Sequence, residues 1–148
     1  MSTSGIPDGA RVAVDTSAFI YFLEQNPHYH PLADEMFRRI EAGRLSACAS
    51  VLVLTEILVP YHRSGDSARA AALSAAVRSI GNLSVLPADR QIAERAALLR
   101  GKYNLRTPDA LHVSTGLLNG AQWFVTNDSQ LKRLAAENVK VWLFDEHV

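Results

Sequence analysis

Residues 11–24 read RVAVDTSAFIYFLE. RVAV is an apolar run of strand length, and SAFIYFLE is the apolar opening of a helix. Asp15, Thr16 and Ser17 stand at the joint. Asp, Thr and Ser are ordinary helix caps, so the stretch predicts a strand that runs straight into a capped helix. In an open parallel sheet, however, ligands bind just beyond the carboxyl ends of strands. A carboxylate at such an end is also where a metal ligand would sit. The stretch alone does not separate the two roles for Asp15.

Working outward, short apolar runs alternate with longer amphipathic segments, which predicts an α/β domain with a parallel sheet. After the helix from about residue 17 to 24 comes PHYHPLADEMFRRIEAG. Pro31 suits a first helical turn, Leu32, Met36 and Ile40 recur every four residues, and Gly43 suits the stop. Residues 45–49 read as a second strand. Ser50 suits a cap before the apolar helix VLVLTEILV, whose end region is marked by Pro60 and Gly65. An Ala-rich helix over 66–80, a strand over 82–86 and a helix capped by Asp89 follow. In TPDALHVSTGLLNG, Thr107 reads as cap, Pro108 as first helical residue and Gly120 as the residue past the end. AQWFVT reads as a fourth strand, DSQLKRLAAEN as a helix and VKVWLF as a fifth strand. No internal repeat or linker interrupts the pattern.

The chain has 148 residues, enough for one domain with its own core. Hydrophobic residues make up 48% and charged residues 20%, a globular balance. Fifteen basic residues offset fifteen acidic ones, so net charge gives no sign of a nucleic-acid partner; a local basic patch stays possible. Twelve of the fifteen are Arg, which favours bidentate phosphate contacts. The single cysteine, Cys48, cannot form an internal disulfide, and a cytoplasmic setting is expected. Among small residues in a strand it reads as a buried, inert thiol. No apolar run approaches the ~20 residues of a membrane helix, so no membrane partner is expected. MSTSGIPDGA lacks the apolar core of a signal peptide and is expected to be a flexible tail over residues 1–10, with a single domain over 11–148.

Four acids are out of place against this pattern. Asp15 ends the first strand, Glu56 lies inside the most apolar helix, Asp109 opens TPDALHVSTGLL, and Asp128 follows WFVTN. Glu56 is the largest anomaly: Leu52, Val53, Val59 and Pro60 flank it at helical spacing, and an unpaired buried carboxylate costs several kcal/mol. The alternative is an exposed stripe of an amphipathic helix. Asp15, Asp109 and Asp128, taken singly, read as caps or as complements to a helix dipole. Together, four carboxylates at one sheet edge repel each other unless divalent cations sit between them. Oxygen ligands suit Mg2+, with Mn2+ as a substitute, and no Cys/His set stands at zinc spacing. Thr16, Ser17 and Thr126 are the hydroxyls able to support ligands or waters.

VDTSAFIYFLE, SVLVLTEIL and LRTPDALHVSTGLLNGAQWFVTNDSQL, in that order and before a closing hydrophobic strand, resemble a PIN-domain ribonuclease of the VapC toxin type. The resemblance covers nearly the whole chain. It implies a three-layer α/β/α domain with a five-stranded, largely parallel sheet. It carries the family's acidic quartet onto Asp15, Glu56, Asp109 and Asp128, and its hydroxyl onto Ser17, with Thr126 as a second contributor. The implied chemistry is Mg2+-dependent hydrolysis of RNA phosphodiester bonds, leaving 5′-phosphate and 3′-hydroxyl ends. Asp15 and Asp109 are the expected direct ligands. The implied partners are an RNA substrate, a cognate antitoxin protein and a second copy of the chain in a homodimer. Alternative readings are a housekeeping RNA-processing nuclease, a non-catalytic PIN interaction module, and a haloacid-dehalogenase-type phosphohydrolase. The last needs a second Asp where this chain has Ser17.

Other residues read more plainly. His112, one turn after Asp109, is expected to be a partly buried packing histidine, although it is within reach of a ligand or phosphate. His28 and His30 read as loop decoration, and Trp123 and Trp142 as core. Arg38, Arg39, Arg63, Arg106 and Arg133 are either RNA-backbone contacts or solvated charges.

Overall fold

The computed structural model describes residues 2–148. Its five strands form one sheet in the order β3-β2-β1-β4-β5, and every neighbouring pair is parallel. β1 (Arg11–Val14) is central. β2 (Ser46–Ser50) and β3 (Leu83–Leu86) lie to one side of it, β4 (Trp123–Thr126) and β5 (Lys140–Leu143) to the other. Parallel strands need crossovers rather than tight turns. α1 (Thr16–Leu23) and α2 (His30–Glu41) join β1 to β2, and α3 (Leu52–Arg63) and α4 (Ser67–Arg78) join β2 to β3. α5 (Arg90–Tyr103) and α6 (Thr107–Leu118) join β3 to β4, and a 3-10 helix, Ser129–Glu137, joins β4 to β5.

Successive strand residues face opposite sides of a sheet, and the core divides accordingly. Val12, Val14, Ala47, Ala49 and Val125 pack with Phe19, Leu32, Phe37, Val53 and Leu73 from α1 to α4. Ala13, Cys48 and Phe124 pack with Ala96 and Leu99 of α5 and Ala110 and Val113 of α6. The result is the three-layer α/β/α arrangement. The chain builds outward from β1 to β3, then crosses back to place β4 on the other flank of β1. The crevice beyond the carboxyl ends of β1 and β4 is therefore the point where strand order reverses, the usual place for a ligand. In its last turn, away from that crevice, α6 lies unusually close to β1: a Cβ added at Gly116 would stand 2.6 Å from the Ala13 Cβ.

Four expectations need correction. Residues 1–10 are not a loose tail in their described part, because Thr3 and Ile6 are fully buried. Arg39 of α2 donates to the Thr3 carbonyl at 2.7 Å, the Ile6 carbonyl at 2.6 Å and Asp8 Oδ1 at 2.7 Å. The lack of an apolar core suggested a tail; one buried guanidinium supplies the donors that order it. Arg39 is thus neither an RNA contact nor a solvated charge. DSQLKRLAAEN is not an α-helix. Leu131 and Leu134 are its buried residues, and their three-residue spacing matches the repeat of a 3-10 helix. Finally, α6 begins one residue early, with Arg106 at the cap position and Thr107 already helical. Trp142 and Cys48 are buried as expected. Among the described residues, no helix is long and apolar enough to cross a membrane.

Candidate active site

Asp15 sits one residue beyond β1, and its backbone N–H still donates to the Val125 carbonyl of β4 at 2.9 Å. Its carboxylate does what a helix cap does: Oδ1 accepts from the Thr16 N–H at 2.8 Å. The second oxygen is committed elsewhere. Thr126, the last residue of β4, donates its hydroxyl to Asp15 Oδ2 at 2.7 Å. The Asp128 N–H in turn donates to that threonine oxygen at 3.1 Å. One hydroxyl thus ties together the two strand ends at the switch point. The Asp15 side chain is only 14% exposed. Burial pushes its carboxyl above the usual range, opposed by His112 and by the Thr126 hydrogen bond.

Glu56 reaches the same place from α3, but it is not the buried acid its neighbours suggested. Its side chain is 41% exposed. The reason is that α3 buries only Val53 and Ile57, a narrow stripe, so Leu52, Val59 and Pro60 do not enclose the carboxylate. Glu56 Oε1 accepts from the Thr16 hydroxyl at 2.9 Å and pairs with His112 Nε2. The His112 hydrogen bond holds the Glu56 carboxyl below the usual range.

α6 supplies Asp109 and His112 from one face, three residues apart. His112 is buried, with Nε2 also 4.0 Å from Asp15 Oδ1. Desolvation disfavours its imidazolium, yet the Glu56 hydrogen bond and the charges of Asp15 and Glu56 outweigh it and raise its pKa. The packing role expected for His112 was too modest; it joins two of the four acids. Its signal in the sequence was the one-turn spacing from Asp109. Asp109, 15% exposed, is gripped by Arg106, whose Nε donates to Oδ2 at 3.0 Å. Asp128 caps the 3-10 helix, its Oδ1 accepting from the Gln130 N–H at 3.0 Å.

Asp109 and Asp128 line a single cleft of about 240 Å3, together with Asn104, Leu105, Arg106, Gln130, Leu131 and Arg133. The four acids thus fall toward the carboxyl edge of the sheet in linked pairs, Asp15 and Glu56 through Thr16 and His112 and Asp109 and Asp128 along one cleft, each already engaged by a protein donor. Among the described residues, no three His, Cys, Asp or Glu side chains stand as a ready cation-binding group in this arrangement. Of the supporting hydroxyls, Thr16 and Thr126 are spent on Glu56 and Asp15. Ser17 keeps a buried hydroxyl oxygen with no partner. His28 is exposed, and His30 packs against Phe22 and contacts the Tyr21 carbonyl, so neither enters the site. Asn127 was not anticipated: its amide donates to the Tyr21 hydroxyl at 3.1 Å and accepts the Asp145 N–H at 2.9 Å, fixing the turn between Thr126 and Asp128.

No curated protein matches the chain in sequence. Among solved structures, it is similar to VapBC2 from Rickettsia felis bound to a promoter DNA fragment: TM-score 0.70, 15% identity, covering 90% of this chain and 98% of that one. DNA-bound VapBC from Salmonella typhimurium superposes with a TM-score of 0.69 at 19% identity, over 91% of this chain and 98% of that one. A toxin–antitoxin complex from Klebsiella pneumoniae gives 0.61 at 21% identity, over 92% and 98%. These likenesses establish the fold. The family model described as PIN domain matches residues 12–137, from β1 through the 3-10 helix. With that match spanning every one of the four acids, the chain belongs to the PIN domain family.

Proposed function

We propose that this protein is a divalent-cation-dependent endoribonuclease and the toxin of a toxin–antitoxin pair. One observation supports the reading most: Asp15 and Asp128, at the ends of the two strands that flank the order reversal, are joined through Thr126, and Asp128 and Asp109 share a cleft with two arginines. The donor chemistry fits Mg2+ or Mn2+. It is all oxygen, it carries an excess of negative charge, and Ser17 adds a buried hydroxyl that no protein group satisfies.

Asp15 and Asp109 would hold the cation directly, with Glu56 and Asp128 completing the set or acting through water. The bound ion would supply Lewis-acid activation of water and neutralise charge on the scissile phosphate. The remaining work falls to the chain. Thr126 and the Thr16 N–H fix both oxygens of Asp15, so its orientation is set before any ligand arrives. His112 and Thr16 hold Glu56 toward Asp15 from opposite helices. Arg106 serves as counter-charge at Asp109 and must give way for that carboxylate to accept a cation. RNA as substrate rests on the motif resemblance. The antitoxin partner rests on that resemblance and on the toxin–antitoxin complexes that share the fold, and the homodimer rests on the resemblance.

Asp15→Asn and Asp109→Asn each lower Mg2+-dependent cleavage of total RNA by at least about a hundredfold, the scale of losing one electrostatic anchor. Wild-type rates in both variants would show that chemistry lies elsewhere. A second reading, a non-catalytic PIN module, draws on the engagement of all four acids by protein donors. Calorimetry with Mn2+ separates the two: no heat of binding at millimolar Mn2+ favours the module.

A further inference from the structure

We infer that Arg106 and Arg133 form a phosphate clamp that takes the sugar–phosphate backbone of single-stranded RNA along the cleft beside Asp109 and Asp128. The inference rests on the nuclease reading above and deepens it by naming how the substrate is held.

The two guanidiniums enter one cleft from different elements, Arg106 from the cap position of α6 and Arg133 from the 3-10 helix. Arg106 uses Nε and Nη2 on Asp109, at 3.0 and 3.5 Å, which leaves Nη1 free on a side chain 80% exposed. Arg133 has no acidic partner among the described residues. It is held by one residue: Nε donates to the Gln130 carbonyl at 2.9 Å and Nη2 to Gln130 Oε1 at 3.3 Å. The Gln130 N–H is itself bonded to Asp128. Arg133 is therefore placed one residue's reach from an acid of the site, with its charge unneutralised and Nη1 unspent. Arg133 is thus fixed with a free N–H, and Arg106 gains free N–H groups when a cation displaces it from Asp109; guanidiniums so placed are phosphate receptors.

Size and lining choose the ligand. About 240 Å3 is less than the 300–1,000 Å3 usual for a whole small-molecule pocket. It suits one backbone unit of a polymer that continues past both ends. Among the described residues no aromatic side chain lines it, so it offers guanidiniums for phosphates and no aromatic platform for bases. Contacts of this kind position a strand without reading its sequence.

The test is fluorescence anisotropy with a short labelled single-stranded RNA, Ca2+ replacing Mg2+, at several salt concentrations. Arg133→Gln weakens binding about tenfold, the scale of one partly exposed charge-assisted hydrogen bond. The slope of log affinity against log salt falls by about 0.7, as expected for one lost single-strand phosphate contact. Arg106→Gln weakens binding similarly, Arg133→Lys retains most of it, and RNAs of different sequence lose equally. Lys140→Gln, at the amino-terminal edge of the sheet, changes nothing. Wild-type affinity and salt slope in both glutamine variants overturns the clamp, and so does a loss confined to one sequence. The nuclease reading fails separately, if the wild-type protein binds RNA but never cleaves it with Mg2+.

Discussion

The two edges of the sheet handle charge in opposite ways. At the amino-terminal edge, one buried cation, Arg39, meets two carbonyls, a hydroxyl and Asp8, and its Nη1 and Nη2 groups both have acceptors. At the carboxyl-terminal edge, four carboxylates are served by hydroxyls, two backbone N–H groups, one histidine and one exposed arginine. The first edge gives its one cation acceptors at both terminal nitrogens, leaving only the buried Arg39 Nε without a partner among the described residues, and ties a chain segment to the body. The second holds more negative charge than its protein partners neutralise. Comparing them separates charge that holds the fold from charge available for the proposed chemistry.

Breaking the first edge has the largest effect on stability. Arg39→Leu leaves the Thr3 and Ile6 carbonyls without their donor and costs about 3 kcal/mol, read as a lower urea midpoint. Gly116→Ala strikes between the edges. Its Cβ would meet Ala13 at 2.6 Å, so α6 must shift, at about 2 kcal/mol. Because α6 carries Asp109 and His112, cleavage falls as well, and a stability loss with full activity would show that the site tolerates the shift. Asp15→Asn sharpens the contrast with the opposite sign. Its carboxyl is held in a site that disfavours its charge, so in EDTA the variant is as stable as wild type or up to about 1 kcal/mol more so. A clear loss of stability would instead make Asp15 a structural cap.

The smallest effect is in pH. The Arg39 hydrogen bond, with Arg44 assisting, holds the Asp8 carboxyl below its usual range. Its folded pKa lies under the unfolded value of about 3.9. The Asp8 contribution is therefore present above that value and lost as pH falls through the lower, folded one. The stability difference between wild type and Asp8→Asn, measured by urea unfolding, shrinks between pH 5 and pH 2, as it would for a carboxylate with depressed pKa. A difference that stays constant over that window would mean that Asp8 acts through packing alone.

The layered α/β architecture was legible in the sequence because RVAV, the fourth strand and the helices between them keep clean periodicities. The four acids were legible as positions, each at a joint or inside an apolar run. What was not legible is which groups hold them. The link from Thr126 to Asp15 spans 111 residues, and no local pattern encodes it. Glu56 misled because helical spacing reports which residues are apolar, not which of them are covered. Residues 2–10 misled because the segment has no apolar run of its own, and its order comes from a distant residue, Arg39, that supplies donors to its carbonyls, and from the burial of Ile6 in the core.

The all-parallel sheet has a consequence in time. No neighbouring pair of strands can zip from a turn, so each pairing waits on a completed crossover. The central pairing of β1 with β4 closes the longest loop, and such long-range contacts form slowly. Asp15 and Asp128 meet only at that step. Asp15 and Glu56 can be joined through Thr16 earlier, but the proposed set stays incomplete until that late pairing, and nuclease activity of the proposed kind would switch on at the end of folding rather than growing in by degrees.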